Sequence, residues 1–195
     1  MKGHKKPPPP GAYLKPGEMF ILESPSLVTT VLGSCISVTF FNARKNLAAI
    51  CHALFPSCRR RVYHNSVHDL LGADCARCPE AFKYADCALV MMVETFRRCG
   101  VPPEGIRVQL MGGARMIGEA SHVVQSIPVG EQNIQVAEKV LADQHLEVHF
   151  RDTGGLKGRK VVFNSQSGEV TIHQISRINI REFQSRFEML ARRPP

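Results

Sequence analysis

The stretch SLVTTVLGSCISVTFFNARKNLAAICHALFP, residues 26 to 56, decides the fold. It contains three short apolar runs, SLVTTVL, CISVTFF and LAAICHALF, which are separated by Gly33 and Ser34 and by the turn-forming segment 42 to 46. Runs of this length, rich in β-branched residues and bounded by Gly, Ser and Asn, are typical of strands joined by turns. Together with MFILE at 19 to 23, they predict an antiparallel β unit in the first 55 residues.

The remainder of the chain adds helices and further strands. Apolar residues recur at helical spacing from Ala81 to Cys99, and Gly100 supplies a stop; a second amphipathic segment spans residues 131 to 145. Between them, IRVQLM at 106 to 111 predicts a strand that runs into a glycine pair. The later runs LEVHF, KVVFN and EVTIHQI are separated by glycine-rich turns, which favours hairpins that close a sheet. The predicted class is α+β, with mostly antiparallel strands and two helices packed outside.

The domain organisation follows from composition. Residues 1 to 17 include four consecutive prolines and several lysines, which predicts a flexible leader. Residues 18 to 180 are expected to form a single domain, interrupted at 56 to 80 by an irregular cysteine-rich insertion. Residues 181 to 195 form a C-terminal tail with some helical character. A chain of 195 residues with 44% hydrophobic residues can bury one substantial core.

Charge and cysteine content restrict the function classes. The formal net charge of +8 favours acidic partners, but no aromatic residues interleave with the basic clusters, which argues against a nucleic-acid site. No segment approaches the roughly 20 apolar residues that cross a bilayer, and the N-terminus lacks the apolar stretch of a signal peptide. The chain is therefore expected to be cytoplasmic and not membrane-inserted. Seven cysteines in such a chain are not expected to form a disulfide framework.

Thr29, Cys35 and His52 are the residues most suited to catalysis. A strand, a turn and a returning strand can bring them together, and an imidazole that takes the thiol proton makes cysteine a nucleophile. A threonine oxygen can orient the ring, and backbone N–H groups near Gly33 and Ser34 can line an oxyanion hole. The alternative is that the cysteine and the histidine are ordinary buried residues.

Cys51 is a competing thiol beside His52. Because adjacent strand residues point to opposite faces, Cys51 is expected to lie in the core rather than to share a site with His52.

Several motifs resemble the CheD family of chemoreceptor glutamine deamidases. The resemblance begins with TTVLGSC followed by CHALFP and continues through KYADCAL at 83 to 89 and VQLMGGARM at 108 to 116. It extends to VGEQNIQVAEKVL at 129 to 141 and DTGGLKGRKVVFNSQSGEV at 152 to 170. It covers, in order, nearly everything from about residue 18 to residue 175.

The resemblance implies an activity and a set of residue roles. The family's catalytic cysteine corresponds to Cys35, its histidine to His52 and its supporting threonine to Thr29. The implied enzyme is a protein-glutamine glutaminase that converts receptor glutamines to glutamates through a thioester, without a cofactor. The implied fold is a β-sandwich core between helices, similar to the catalytic domain of the cytotoxic necrotizing factor toxins.

Two other interpretations stay open. The resemblance also implies binding to the phosphatase CheC, so the chain can act as a non-catalytic adaptor that binds CheC and chemoreceptors; the presence of both Cys35 and His52 favours the enzyme. Separately, Cys75 and Cys78 form a CxxC pair that, with Cys58, can hold a structural zinc ion. A single CxxC pair is a weak signal, and surface thiols are the alternative.

Overall fold

The computed structural model of the chain describes residues 11–58, 78–115 and 127–175. The predicted leader up to residue 10, most of the cysteine-rich insertion and the C-terminal tail lie outside these ranges. Short 3₁₀ turns lie at Ala81–Lys83 and Pro103–Gly105. The two helices are α1 (Ala85–Arg98) and α2 (Val129–Asp143). The strands are β1 (Ala12–Tyr13), β2 (Met19–Leu22), β3 (Leu27–Leu32), β4 (Ile36–Asn42), β5 (Leu47–Ala53), β6 (Arg107–Gly112), β7 (Val148–Thr153), β8 (Gly158–Asn164) and β9 (Glu169–Ile175).

The strands form two sheets. The first has four strands in the order β1-β3-β8-β9, and the second has five in the order β2-β5-β4-β6-β7. Only the pairs β1/β3 and β6/β7 are parallel among the described strands. The predicted α+β class with mostly antiparallel strands is therefore confirmed.

The described part of the chain has three layers: the four-stranded sheet, the five-stranded sheet and the helices. Apolar side chains fill the space between each layer and the next. One cluster joins Leu14, Val28 and Phe163 of the first sheet region to Phe41 and Ile50 of the second. A larger cluster joins the other face of the five-stranded sheet to both helices. The sandwich is thus flanked by helices, as predicted, and the two helices that the structure describes, α1 and α2, pack on the same face of the five-stranded sheet.

Strands β4 and β5 are buried along their whole length, because one face meets the first sheet and the other meets the helices. This double burial explains why their sequences are almost continuously apolar rather than alternating. These strands carry the residues immediately around the predicted site, so the site is built on a deeply buried part of the fold.

The helices match their sequence patterns. In α1 the buried residues Ala85, Leu89, Met92 and Phe96 follow helical spacing, and the helix ends at Arg98, before Gly100. Helix α2 starts two residues earlier than the predicted segment and buries Ala137 and Leu141. In the part of the chain that the structure describes, no helix is long and apolar enough to cross a membrane.

The boundary of the predicted leader is wrong. Residues 11 to 17 belong to the fold: Ala12–Tyr13 pairs with β3, and Leu14 is completely buried in the cluster between the sheets. The backbone N–H of Gly17 donates to the carbonyl of His52, and the N–H of His52 donates to the carbonyl of Glu18. The two prolines and two glycines at 10 to 17 favoured a flexible segment in the sequence analysis, although this segment packs against the site.

Candidate active site

The register of β4 and β5 places Cys35 near His52. Ser37 lies opposite His52, and Ile36 lies opposite Ala53, which is the last pair of the ladder. Cys35 immediately precedes β4 and shares a face with Ser37, so it is a diagonal neighbour of His52. Cys35 is half-buried and packs against a small cluster that includes Leu32. The strand–turn–strand arrangement predicted from the sequence is present.

Cys51 lies on the opposite face of the sheet. It is completely buried in the cluster beneath the helices, and burial raises the pKa of its thiol to about 11. A thiol held protonated in an apolar core is a poor nucleophile. The expectation that Cys51 is a core residue is confirmed.

His52 is completely buried and oriented by a threonine of the other sheet. Its Nδ1 lies 2.7 Å from the Oγ1 of Thr30, which in turn lies 2.8 Å from the carbonyl oxygen of Leu14. A carbonyl only accepts, so the Thr30 hydroxyl donates its proton to Leu14. The Thr30 oxygen then accepts from His52, and the proton of the neutral ring resides on Nδ1.

The remaining ring nitrogen therefore carries a lone pair. The Nε2 of His52 is buried and makes no hydrogen bond with any of the residues described. Burial also lowers the pKa of His52 to about 4, so the ring is neutral near pH 7. A neutral imidazole with a free Nε2 is the form that a general base requires.

The prediction for Thr29 must be corrected. Neighbouring residues of a strand face opposite sides, and in β3 it is Thr30, completely buried, that contacts His52. Thr29 is only half-buried and has no contact with the His52 ring among the described hydrogen bonds. Both the residue pattern and the resemblance pointed to the threonine six residues before the cysteine, whereas the alternation of β3 places the threonine five before it against His52.

The turn that carries Cys35 is held by its carbonyl groups. The carbonyl of Gly33 accepts from the N–H of Ala114, and that of Cys35 accepts from the N–H of Gly113. Between them, the carbonyl of Ser34 accepts from the side chain of Asn133 in α2. Three successive peptide planes are thereby fixed at the predicted oxyanion segment, Gly33 and Ser34.

The close approach of the β6 end to this turn requires glycine. A Cβ atom on Gly112 would lie 2.3 Å from the carbonyl oxygen of Cys35, and the φ angle of Gly112 is 107°. The buried guanidinium of Arg159 holds the other side, because its Nη1 donates to the carbonyl of Gly112 at 2.7 Å. The glycine pair that the sequence places after this strand therefore begins where the backbone comes closest to the Cys35 turn.

An open cleft lies beside the segment that follows β5. It has a volume of about 790 Å³, and its lining includes Phe55, Tyr84, Gln132, Cys58 and Cys78. The rings of Phe55 and Tyr84 lie 5.9 Å apart, and Phe55 is 46% exposed, which is high for a large apolar side chain. The cleft offers an apolar surface within a few residues of His52.

The zinc prediction stays a prediction. Cys58 and Cys78 line the same cleft, but Cys75 lies outside the described residues. Within residues 11–58, 78–115 and 127–175, no group of three or more His, Cys, Asp or Glu residues is arranged to hold a metal ion.

Sequence reasoning missed Leu14 and Asn133. Leu14 lies in a proline-rich segment that was predicted to be flexible. It contacts Thr30 through its backbone carbonyl, and the type of its side chain does not indicate such a contact. Asn133 had a visible signal, because it lies at helical spacing with the buried residues Gly130, Ala137 and Leu141 on the inward face of α2. A polar residue at such a position indicates a specific hydrogen-bond partner.

Comparison with known proteins adds a family and several relatives. A family model described as CheD chemotactic sensory transduction matches residues 73–174. A "Probable chemoreceptor glutamine deamidase CheD 2" of Geobacter sulfurreducens is 38% identical over 174 residues, which are 89% of this chain and 95% of that protein. A "Probable chemoreceptor glutamine deamidase CheD" of Oleidesulfovibrio alaskensis is 35% identical, covering 84% of this chain and 72% of the relative. One from Maridesulfovibrio salexigens is 31% identical, covering 85% and 92%.

Among solved structures, the crystal structure of Bacillus licheniformis hypothetical protein YfiH matches 69% of this chain and 49% of that chain. The identity is 15% and the TM-score is 0.38, too low to support an argument about function.

Proposed function

The chain belongs to the CheD family, and on that premise we propose that it deamidates glutamine side chains of chemoreceptors, with Cys35 as the nucleophile. The observation that carries the proposal is the hydrogen-bond chain from His52 through Thr30 to Leu14. These hydrogen bonds leave Nε2 of a neutral, buried imidazole without a hydrogen bond among the described residues, on the strand that pairs with the one Cys35 precedes. The names of the relatives supply the substrate class.

The proposed reaction has two halves. First, His52 Nε2 takes the proton of the Cys35 thiol, and the sulfur attacks the carbon of the glutamine amide. The tetrahedral intermediate collapses when the imidazolium gives its proton to the amide nitrogen; ammonia leaves and a thioester remains. Then His52 takes a proton from water as its oxygen attacks the thioester carbon; the carbon–sulfur bond breaks, the imidazolium returns the proton to the Cys35 sulfur, and the glutamate side chain leaves.

Backbone groups support the intermediate in this proposal. The negative oxygen that forms at each tetrahedral stage needs donors that are already in place. The turn around Ser34 and Cys35 is held through three carbonyl groups, so its N–H groups do not need to reorganise during the reaction. This rigidity supports the assignment of Gly33 and Ser34 to the oxyanion segment.

The substrate in this proposal is a glutamine on a cytoplasmic helix of a chemoreceptor. The cleft next to the segment that follows β5 has a volume of about 790 Å³, and the exposed ring of Phe55, in contact with Tyr84, offers an apolar surface to such a helix. CheC is the proposed protein partner. If CheC uses the same cleft, its binding competes with deamidation, so the adaptor and enzyme roles coexist in one surface.

The proposal is tested by incubating the protein with a glutamine-bearing receptor fragment and measuring ammonia release and the one-dalton mass gain of deamidation. Wild type and Cys51→Ala are expected to be active, whereas Cys35→Ala is expected to be inactive with an unchanged fold. Cys51→Ala is the matched control, because it removes a thiol from the other face of the same sheet. A wild type that binds CheC and receptors but releases no ammonia would establish the adaptor role instead.

A further inference from the structure

A buried asparagine of α2 joins the two chain segments that carry the proposed nucleophile and base. The Nδ2 of Asn133 lies 3.0 Å from the carbonyl oxygen of Ser34 and 3.0 Å from that of Leu54. Ser34 immediately precedes Cys35, and Leu54 follows His52 by two residues. Both partners are carbonyl groups, which only accept, so the orientation of the carboxamide is fixed: both Nδ2 protons are donated.

The position of this contact is distinctive because the β4–β5 ladder ends there. Ile36 and Ala53 form its last pair, and the next pair would be Cys35 with Leu54. Beyond this pair the backbone groups of Leu54 face away from β4, and its N–H donates to the carbonyl of Lys83. No ladder pair holds Cys35 to Leu54, and the carboxamide of Asn133 links the two chain segments there.

Asn133 is completely buried, and its Oδ1 has no hydrogen-bond partner among the described residues. An apolar residue would suit this inward face of α2 better if packing alone mattered, as it does for Ala137 and Leu141. Of the three donors that hold the carbonyls of residues 33 to 35, only that of Asn133 is a side chain. It is therefore the one anchor of the turn that a substitution can remove.

We propose that Asn133 is a positioning residue that holds the ends of β4 and β5 at the spacing at which His52 Nε2 takes the proton of the Cys35 thiol. The inference rests on the proposed Cys35–His52 pair. Without the two hydrogen bonds, the Cys35 turn and the Leu54 segment move independently, and a misplacement of about 1 Å between reacting groups can lower a rate about 100-fold.

The test measures alkylation of Cys35 by iodoacetamide as a function of pH, read by peptide mapping, which separates Cys35 from the other thiols. At pH 7 the Asn133→Ala variant is expected to react about tenfold or more slowly than wild type, because the thiol is then largely protonated and gives its proton to His52 Nε2 as the sulfur attacks. At about pH 10 the two rates are expected to converge, since an ordinary thiol with a pKa of about 8.5 ionises without the imidazole.

Asn42→Ala is the matched control. Asn42 is also buried and donates from Nδ2 to a backbone carbonyl, that of Gly105 at 2.7 Å, but it lies at the opposite end of β4 from Cys35. It is expected to keep the wild-type alkylation profile even if its melting temperature falls. If Asn133→Ala does not fold, Asn133→Asp replaces it, because aspartate keeps the size but offers the two carbonyls no Nδ2 protons.

Two results would overturn the proposal: a folded variant whose alkylation rate equals that of wild type at pH 7, or a rate lowered equally at all pH values, which indicates altered access. Alkylation does not require a receptor substrate. If wild type and Asn133→Ala differ in alkylation rate as predicted but wild type does not deamidate receptors, the proposed function is wrong and the positioning role still holds. In a deamidating wild type, the Asn133 variant is expected to lose kcat with little change in KM.

Discussion

Thr30 illustrates how a single hydroxyl determines which form of His52 is present. Because its proton is donated to the Leu14 carbonyl, its oxygen can only accept from the ring, and Nε2 is left as the basic nitrogen. The backbone of a segment outside the predicted domain thus controls the tautomer of the proposed base. This relation depends on contacts between β1, β3 and β5, which no local sequence pattern encodes.

The first prediction concerns this threonine. Thr30→Val keeps the shape of the side chain but leaves the Nδ1–H of His52 and the Leu14 carbonyl without their partner. We expect kcat for receptor deamidation to fall roughly 100-fold and the free energy of unfolding to fall by about 1–3 kcal/mol. Thr29→Val, the same substitution one residue away, is the control and is expected to keep wild-type activity. Equal loss in both variants, or loss only in Thr29→Val, would return the role to Thr29.

The second prediction concerns the protonation of His52. Its pKa is about 4 in the folded protein and about 6.5 when exposed, so the unfolded chain binds more protons between these values. Stability from this residue is therefore complete above pH 6.5 and is lost as the pH falls toward 4. From pH 7 to pH 5, the free energy of unfolding of wild type should fall by roughly 2 kcal/mol more than that of His52→Gln. Denaturant titrations at both pH values measure this; parallel losses would show that His52 is not buried as a neutral ring.

The sequence predicts Cys35 and His52 as a pair from their types, their spacing and the family resemblance, and the structure places them near the ends of paired strands. It did not identify Thr30, because the choice between two adjacent threonines depends on which face of β3 meets the second sheet. Nor did it identify Asn133, whose partners lie 99 and 79 residues away along the chain. Contacts at such separations arise only from tertiary packing.

At the scale of elements, the end of β6 is the structure most sensitive to substitution near the site. Gly112→Ala would place a methyl group against the Cys35 carbonyl and the Cα of Ile36, both of them backbone atoms. We expect a loss of about 3 kcal/mol in the free energy of unfolding, together with loss of deamidation, measured by denaturant titration and the ammonia assay.

Gly154→Ala is the control for this substitution. Gly154 also has a positive φ angle, 71°, but a Cβ there would meet nothing within 4 Å. It should cost only about 1–2 kcal/mol for the backbone conformation and should leave activity intact. Equal effects of the two alanines would mean that the approach of Gly112 to Cys35 does not matter.

Element types followed closely from periodicity. The helices and most strands were predicted because their patterns are strong, and double burial of β4 and β5 produced their continuous apolar runs. The short strand Ala12–Tyr13 could not be predicted, because two residues carry no period and Pro16 and Gly17 suggested a loop. The packing of both helices on one face depends on how the two sheets stack. The apolar pattern of the individual strands does not determine that stacking.

At the scale of the whole molecule, the net charge of +8 predicts how the protein meets its substrate. Charges at long range attract an acidic receptor surface, and salt screens them over about 10 Å at 0.1 M. We expect the association rate with an acidic receptor fragment to fall as salt rises from about 0.01 M to 0.1 M. A fragment with its acidic residues neutralised should show little change. Association that is insensitive to salt would show that the charge has no part in recognition.

The most direct measurement for the central claim is the detection of the thioester on Cys35. The protein is mixed with a glutamine-bearing receptor peptide, quenched in acid during turnover and mapped by mass spectrometry. We predict an adduct on the Cys35 peptide with the mass of the receptor peptide less one ammonia, and none on Cys51. Turnover with no adduct on Cys35, together with an adduct on another residue, would contradict the account.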